Sequence, residues 1–289
     1  MIHSLSFTFK NFINHNSFVG SIKKLSGFTK IKTNIKQNSF TFQYISDIHV
    51  DSRHNLIKYT DVNKVCETLL IAGDVGDPFH ENFHVFIKRM SDKFSKVIFV
   101  AGNHEYDCGN LFDQNKYNDY TIQMKIIFKQ LPNVFFLDNE THQINNDIII
   151  AGTTLWSNPM LNQNEFDKLF YKRKITSEQY NTHLKKHYNC INFIKNVCAK
   201  HSNKKIIVLS HFVPTFKLID DKYLVKGQPN KWFVSDLNHL IKKPIRAWIC
   251  GHSHSIMSKQ INNVYCAINA YGHKQENNSS MIKETTFSI

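Results

Sequence analysis

The feature that most constrains the fold of this chain is an alternation, from residue 42 onward, between short apolar runs and stretches with a helical period. The apolar runs are often β-branched, and most of them stop at Gly, Asp or Ser, which is typical of buried strands. We predict strands over residues 42–45, 68–72, 96–101, 134–137, 147–151, 205–209, 245–250 and 264–268.

Three of the intervening stretches carry apolar side chains at helical spacing. One apolar face runs over residues 83–94, a second over 117–131 and a third over 180–197. Faces of this kind normally pack against a core. Strands that alternate with helices indicate an α/β domain, with the sheet inside and the helices outside.

Five short polar motifs follow predicted strands. They are Asp47-Ile48-His49, Gly73-Asp74-Val75-Gly76-Asp77, Gly102-Asn103-His104-Glu105, the single residue His211, and Gly251-His252-Ser253-His254. Ligands of α/β sheets bind beyond the carboxyl ends of the strands, so five such motifs can meet at one edge. The sequence therefore predicts one shared site at that edge.

The residue types in these motifs favour divalent cations. Carboxylate, imidazole and amide oxygen donors suit Mn, Fe, Zn and related ions. We expect Asp-x-His and His-x-His to be extended, because alternate side chains of an extended segment point the same way and can reach one cation. Glycines 73, 102 and 251 would let the backbone turn tightly. One carboxylate can bridge two cations about 3.5–4 Å apart.

The motifs and their order resemble those of the calcineurin-like metallophosphoesterase superfamily over about residues 42–270. In that family they read D-x-H, G-D-x-x-D, G-N-H-E, a lone His, and G-H-x-H. Each motif alone is weak, but five in the family order, each at a strand end, are specific. The resemblance implies a four-layer α/β/β/α sandwich, in which two mixed β-sheets are flanked by helices.

The resemblance also implies two divalent cations and seven metal ligands. Three ligands would bind each cation and a carboxylate would join the two ions. The sets are Asp47, His49 and His254 for one cation, Asn103, His211 and His252 for the other, and Asp74 as the bridge.

Two further residues are predicted to act in catalysis. His104 resembles the histidine of the family that stands beside the substrate without binding metal, and Asp77 would support the site by orienting His104. A water or hydroxide between two dications has a lowered pKa and can attack phosphorus. His104 would stabilise the developing charge or protonate the leaving oxygen. The implied activity is hydrolysis of a phosphomonoester or phosphodiester.

The second motif separates this chain from the Ser/Thr protein phosphatases of the superfamily. Their motif reads G-D-x-V-D-R-G, whereas here Asp77 is followed by Pro78 and Phe79. The stretches at residues 43–49, 102–106 and 152–157 look closer to small microbial phosphohydrolases. That resemblance implies a reaction type and does not define the substrate. Our first hypothesis is a phosphate ester of a small molecule or a nucleotide.

Two alternatives remain open on the sequence alone. The net charge of +13 favours nuclease action on DNA or RNA, although no basic and aromatic stripe is evident. The other alternative is a metal-binding scaffold for protein interactions that has lost catalysis. Such a scaffold would normally have lost ligands, and here all seven residues and His104 are present.

Other polar and aromatic residues near the motifs are expected to have structural roles. Glu105 should hydrogen-bond the backbone, and Asp51 should be a surface charge. Tyr106 and Trp156 should pack in the core or at the rim. The histidines outside the motifs are expected to be structural or exposed; these are His3, His15, His54, His80, His84, His142, His183, His187, His201, His239 and His273.

Domain organisation is predicted as a basic extension over residues 1–40 and a catalytic domain over residues 41–289. Residues 157–204 should add helices that cap the site. The six cysteines form no CxxC pair, which favours reduced thiols and an intracellular, cytoplasmic location. Organelle targeting by residues 1–40 stays open. The sequence has no run of 18 apolar residues, so we predict no membrane span.

Overall fold

A computed structural model describes residues 39–52, 62–106, 113–173, 175–220, 232–273 and 284–289. The basic extension predicted over residues 1–40 lies outside the described residues, apart from its last two. Residues 39–289 belong to one compact unit.

The described elements are eleven strands, four α-helices and short 3₁₀ helices. The strands are β1 (Thr41–Ile45), β2 (Thr68–Ala72), β3 (Lys96–Val100), β4 (Val134–Phe136), β5 (Glu140–Gln143), β6 (Ile148–Thr153), β7 (Lys205–Ser210), β8 (Ile245–Cys250), β9 (Ile256–Ile261), β10 (Val264–Asn269) and β11 (Thr286–Ser288). The helices are α1 (Glu81–Lys93), α2 (Gln114–Lys129), α3 (Gln163–Arg173) and α4 (Ser177–Lys200).

The strands form two mixed sheets. Sheet 1 has the order β11-β1-β2-β3-β4, and sheet 2 has the order β5-β6-β7-β8-β10-β9. The central strands of each sheet are parallel, whereas β11, β5 and β9 pair antiparallel at the edges. The carboxyl ends of the parallel strands therefore lie together at one edge of each sheet.

Both faces of each sheet are covered, which explains the continuous apolar runs in the sequence. Leu70 of β2 and Leu209 of β7 belong to the layer of side chains between the sheets. Their neighbours Leu69 and Val208 point the other way and join the clusters under the helices. Helices α1 and α2 contact sheet 1, and α4 contacts sheet 2. The predicted α/β/β/α sandwich is confirmed.

Two buried histidines of helix α4 hydrogen-bond to the segment that follows β6. The Nε2–H group of His183 donates to the carbonyl oxygen of Ser157 at 2.9 Å, and Nδ1–H of His187 donates to that of Trp156. Burial lowers the pKa of His183 to about 4 and also lowers the pKa of His187. Both rings are therefore held as neutral hydrogen-bond donors.

The range 157–204 contains α3 and α4, as expected, and that these helices cap the site stays a prediction. Tyr106 and Trp156 are buried in the core. Among the described residues, all cysteines are free thiols, and Cys108 lies outside them. No helix in the described ranges has the length and apolar character needed to cross a bilayer.

Candidate metal centre

The five predicted motifs meet where the carboxyl edges of the two sheets adjoin. The motif segments follow β1, β2 and β3 in sheet 1 and β7 and β8 in sheet 2. A bridge between Ser46 and Ala270 joins the two sheets at this edge. The parallel topology therefore brings together residues that are far apart in the chain.

The first predicted ligand set converges across the two sheets. The Nε2 atoms of His49 and His254 are 3.2 Å apart, and Nε2 of His254 is 3.6 Å from Oδ1 of Asp47. Two nitrogens that each bind one cation at about 2.1 Å are typically about 3–3.5 Å apart. The spacing of this donor set fits a single divalent ion.

The second set converges on Nε2 of His211. This atom is 3.0 Å from Oδ1 of Asn103 and 3.1 Å from Nδ1 of His252. The opposite nitrogen, Nδ1–H of His211, donates to the carbonyl oxygen of Ala72 at 2.8 Å. That hydrogen bond fixes the ring with Nε2 facing the other donors, which is how a metal-binding histidine is oriented.

Asp74 lies between the two sets. Its Oδ2 atom is 3.4 Å from Nε2 of His211, and its carboxylate lies near His49 as well. Its Oδ1 atom accepts the backbone N–H of His104 at 2.8 Å. Ligand atoms of His49, Asp74 and His104 lie within 4.8 Å of one another, as do those of Asp74, His211 and His252. Asp74 is the carboxylate that both groups share.

The backbone of the site differs from the expected extended segments. Five of the predicted ligands have positive φ angles, which are 55° at Asp47, 49° at His49, 54° at Asp74, 67° at His252 and 46° at His254. The prediction that Asp-x-His and His-x-His are extended was wrong. Strands β1 and β8 end before these motifs, and the chain then turns sharply; the donors converge through these turns.

Hydrogen bonds between the loops hold this turned backbone. The N–H groups of Asp47 and His49 donate to the carbonyl oxygens of Gly73 and Asp74, at 2.9 and 3.1 Å. Both carboxylate oxygens of Asp47 accept the N–H of His252 at 3.0 Å. The loops of the two sheets thus fix one another.

The side chain of Glu105 accepts hydrogen bonds from backbone N–H groups next to the candidate ligands. It is fully buried, and its two oxygens accept the N–H groups of Asp74, Val75, Gly76 and Gly102 at 2.6–3.1 Å. The predicted backbone role of Glu105 is confirmed. One carboxylate joins the loop after β2 to the loop after β3, and so sets the distance between Asp74 and Asn103.

Gly102 is required for close approach at this junction. A Cβ atom at this position would lie 2.1 Å from Oδ1 of Asp74 and 2.7 Å from the ring of His211. No side chain fits there without displacing the shared carboxylate.

Burial and neighbouring charges set the protonation of the site. Burial lowers the pKa of His49 to about 2 and also lowers that of His252, so both imidazoles are neutral. Burial opposes the ionisation of Asp74, but His211 and His104 outweigh it and hold the pKa of Asp74 well below its usual value. Neutral imidazole and ionised carboxylate are the forms that bind metal ions.

The pKa values of Asp47, Glu105 and His211 are shifted in the other direction, upward. Burial raises the pKa of Asp47. Burial and the charge of Asp74 raise the pKa of Glu105 to about 8, against the N–H groups of Gly102 and Gly76. Burial disfavours a proton on His211, but the carboxylates of Asp74 and Asp47 raise its pKa to about 9. The negative charge of the cluster thus attracts positive charge to its centre.

His104 and Asp77 lie in different surroundings. The side chain of His104 is 33% exposed, and its Nε2 atom is 4.0 Å from Oδ2 of Asp74, so it faces the solvent side of the cluster. Asp77 accepts the N–H of Phe79 at 2.8 Å, and its own N–H donates to Asp51 at 2.9 Å. Orientation of His104 by Asp77 stays a prediction.

One histidine that was expected to be structural or exposed lies in the site. The ring of His273 is stacked on that of His49, with centroids 4.5 Å apart. No spacing signal identifies it, because it follows β10 and lies outside every motif. Aromatic rings also border the second donor set. The ring centroids of Phe212 and Phe233 lie 4.2 and 4.7 Å from that of His252.

Comparison with known proteins agrees with this geometry. A model of the calcineurin-like phosphoesterase family matches residues 40–255, which include all seven candidate ligands. An uncharacterized protein of Acanthamoeba polyphaga mimivirus, L509, is 28% identical over 266 residues, covering 82% of this chain and 92% of that protein.

Two solved structures have a similar fold. Phosphopantetheinyl hydrolase (PptH) from Mycobacterium tuberculosis has a TM-score of 0.59 and 14% identity, covering 86% of this chain and 95% of that chain. The protein TT1561 from Thermus thermophilus has a TM-score of 0.51 and 11% identity, covering 86% of this chain and 97% of that chain. At these identities the similarity concerns the fold.

Proposed function

This chain belongs to the calcineurin-like phosphoesterase family and is a phosphoester hydrolase, and we propose that it acts with two divalent cations held by the seven residues described above. The observation that carries the proposal is the convergence of two donor sets on either side of Asp74. Their spacing, burial and donor types fit Mn, Fe, Zn or similar ions. When bound, such a pair of ions activates a water and offsets the charge of phosphoryl oxygens.

The seven candidate ligands would be divided between the two ions. Asp47, His49 and His254 would hold one ion, and Asn103, His211 and His252 the other, with Asp74 shared between them. Hydrogen bonds from backbone N–H groups keep Asp74 and Asp47 in place before any substrate arrives. A site organised in advance avoids reorganisation during the reaction.

His104 is the group best placed to act on the substrate itself. Its backbone N–H donates to Asp74, while its partly exposed ring would be accessible to a phosphate ester that arrives from solvent. We assign His104 as the general acid, which donates a proton to the leaving oxygen when the bond from phosphorus to that oxygen breaks. General acid catalysis of this kind contributes about 10²–10⁴-fold to the rate.

The substrate would be a small phosphate ester or a nucleotide. The net charge of +13 attracts anionic substrates, and it also keeps nucleic acid open as a second candidate. Hydrolysis of single-stranded DNA whose rate falls steeply with added salt would favour the second candidate.

The proposal is tested with bis-p-nitrophenyl phosphate and p-nitrophenyl phosphate in the presence of Mn, Zn, Fe, Ni, Co or Mg. We expect activity that requires a transition metal. Asp74→Asn should lose activity and bound metal together. His104→Ala should keep its metal and lose roughly 10²–10⁴-fold in kcat. His239→Ala, which removes an exposed histidine on another surface loop, is the matched control.

Elemental analysis separates the outcomes. Wild-type protein that hydrolyses either ester without any divalent ion would contradict the proposal. Bound metal with no hydrolysis of esters or DNA would instead support the scaffold alternative. The ratio of diester to monoester rates defines the substrate class.

A further inference from the structure

His273 occupies a defined place beside the first donor set. Its ring centroid is 4.5 Å from that of His49, 5.0 Å from that of His254 and 6.4 Å from that of His104. It is stacked on His49 with an interplanar angle of 27° and nearly perpendicular to His254 at 76°. Three site histidines therefore surround it.

The position of His273 is set by the backbone that leads to it. After β10, the N–H of Tyr271 donates to the carbonyl oxygen of Ser46 at 3.0 Å, and the N–H of Gly272 donates to that of Asp47 at 2.9 Å. The loop is thus hydrogen-bonded to the segment that carries the first predicted ligand. Gly272 has φ = 72°, a conformation that glycine adopts without strain and that turns the chain toward the site.

The ring nitrogens of His273 are within range of a shared ion. One nitrogen from each of His49, His254 and His273 can be chosen so that all three lie within 4.8 Å of one another. Imidazoles that bind one ion at about 2.1 Å have nitrogens about 3–3.5 Å apart, so the three rings would move closer together on binding an ion.

We propose that His273 is an additional protein ligand of the cation held by Asp47, His49 and His254. This inference rests on the function proposed above, since it requires that site to bind a metal ion. With Asp74, the ion would then have five protein ligands, and fewer positions would remain for water. Of the two cations, this one should be held more tightly because of the extra imidazole.

The test is a cobalt titration of the full-length protein. Metal is removed with a chelator, and Co²⁺ is added while visible absorption and competition with a chelating dye are recorded. We expect two bound ions in wild-type protein. His273→Gln should weaken one of the two sites by on the order of tenfold or more and change the cobalt spectrum. His239→Gln, an exposed histidine replaced in the same way, should match wild type.

The results distinguish failure of this inference from failure of the proposed function. Two tight sites and an unchanged spectrum in His273→Gln would overturn the inference and leave the proposed function standing. A variant with normal cobalt binding but a raised KM would also overturn it, because His273 would then contact substrate instead. Wild-type protein that binds no cobalt would overturn both.

Discussion

At the scale of single residues, the candidate ligands stand out by their backbone conformation. Five of the seven have positive φ angles, although none is glycine. Each such residue costs on the order of 1 kcal/mol or more, so the surrounding structure must impose it. Carbonyl oxygens accept the N–H groups of Asp47 and His49, and the carboxylate of Asp47 accepts that of His252. Glu105 accepts the N–H of Asp74 together with three further backbone N–H groups of the loops that follow β2 and β3.

Glu105→Gln should therefore destabilise the protein. The amide NH₂ group would replace an oxygen that accepts two backbone N–H groups, and those donors would lose their acceptor. Each buried group left unsatisfied costs about 1–3 kcal/mol, so we expect a loss of roughly 3 kcal/mol. Thermal and denaturant unfolding at about pH 9, above the raised pKa of Glu105, measure the loss.

The control for this substitution is Glu140→Gln. Glu140 is exposed on edge strand β5, so the same chemical change should leave the free energy of unfolding within about 0.5 kcal/mol of wild type. Equal stability of Glu105→Gln and wild type would show that the four hydrogen bonds do not hold the loops.

Residue chemistry was predictable where a motif carried it and not elsewhere. All seven proposed ligands come together as the motif order implied, because parallel strands put their carboxyl ends at one edge. The left-handed turns at Asp47 and His252 were not predictable, since they depend on hydrogen bonds with loops distant in sequence. His273 was missed because its place depends on hydrogen bonds of Tyr271 and Gly272 to a segment distant in sequence.

At the scale of elements, the eight strands predicted from apolar runs are all present. The missed strands β5, β9 and β11 are edge strands with exposed side chains, which gives them no apolar run to recognise. Strand β9 had a turn signal, since Asn262 and Asn263 link it to β10 with φ angles of 51° and 63°. Two positive φ angles are typical of a type I′ hairpin, for which Asn is favoured.

Helix α4 provides a prediction on pH. The pKa of buried His183 is lowered from 6.5 to about 4 in the folded protein. Above pH 6.5 the His183 ring is neutral in both the folded and the unfolded protein, so its burial does not reduce the free energy of unfolding. Below pH 6.5 the unfolded chain binds a proton that the folded protein does not, so stability falls as pH falls toward 4. The total loss is on the order of 3 kcal/mol.

His183→Gln should make the pH dependence of unfolding shallower. Between pH 6.5 and 4 the slope should decrease by about 1.4 kcal/mol per pH unit relative to wild type. Denaturant unfolding over this range measures the difference. His239→Gln, at an exposed position, controls for the loss of a histidine as such. Parallel curves for His183→Gln and wild type would contradict the prediction.

At the scale of the whole molecule, the candidate site joins the two sheets. Sheet 1 supplies Asp47, His49, Asp74 and Asn103, and sheet 2 supplies the histidines that follow β7 and β8. An ion bound across this junction contacts residues of both sheets. Binding to the folded state alone then adds to the free energy that keeps the sheets together.

Removal of metal should accordingly lower the melting temperature. An ion present at a hundred times its Kd stabilises the fold by about 2.7 kcal/mol. For a domain of this size that corresponds to roughly 5–10 °C. Calorimetry with metal and with excess chelator measures the shift. Asp74→Asn should melt at the same temperature in both buffers; a wild-type protein that does the same would contradict the prediction.

The division of the ligands between the sheets has a consequence for biosynthesis. His211 lies 108 residues beyond Asn103, so the ribosome releases the ligands of sheet 1 well before those of sheet 2 exist. A nascent chain holds an acidic half-site without the imidazoles that complete it. Neither proposed ion could bind to its full ligand set until the second sheet has formed and docked. Any ions that the finished protein binds would therefore be selected after translation, by the metals available at that moment.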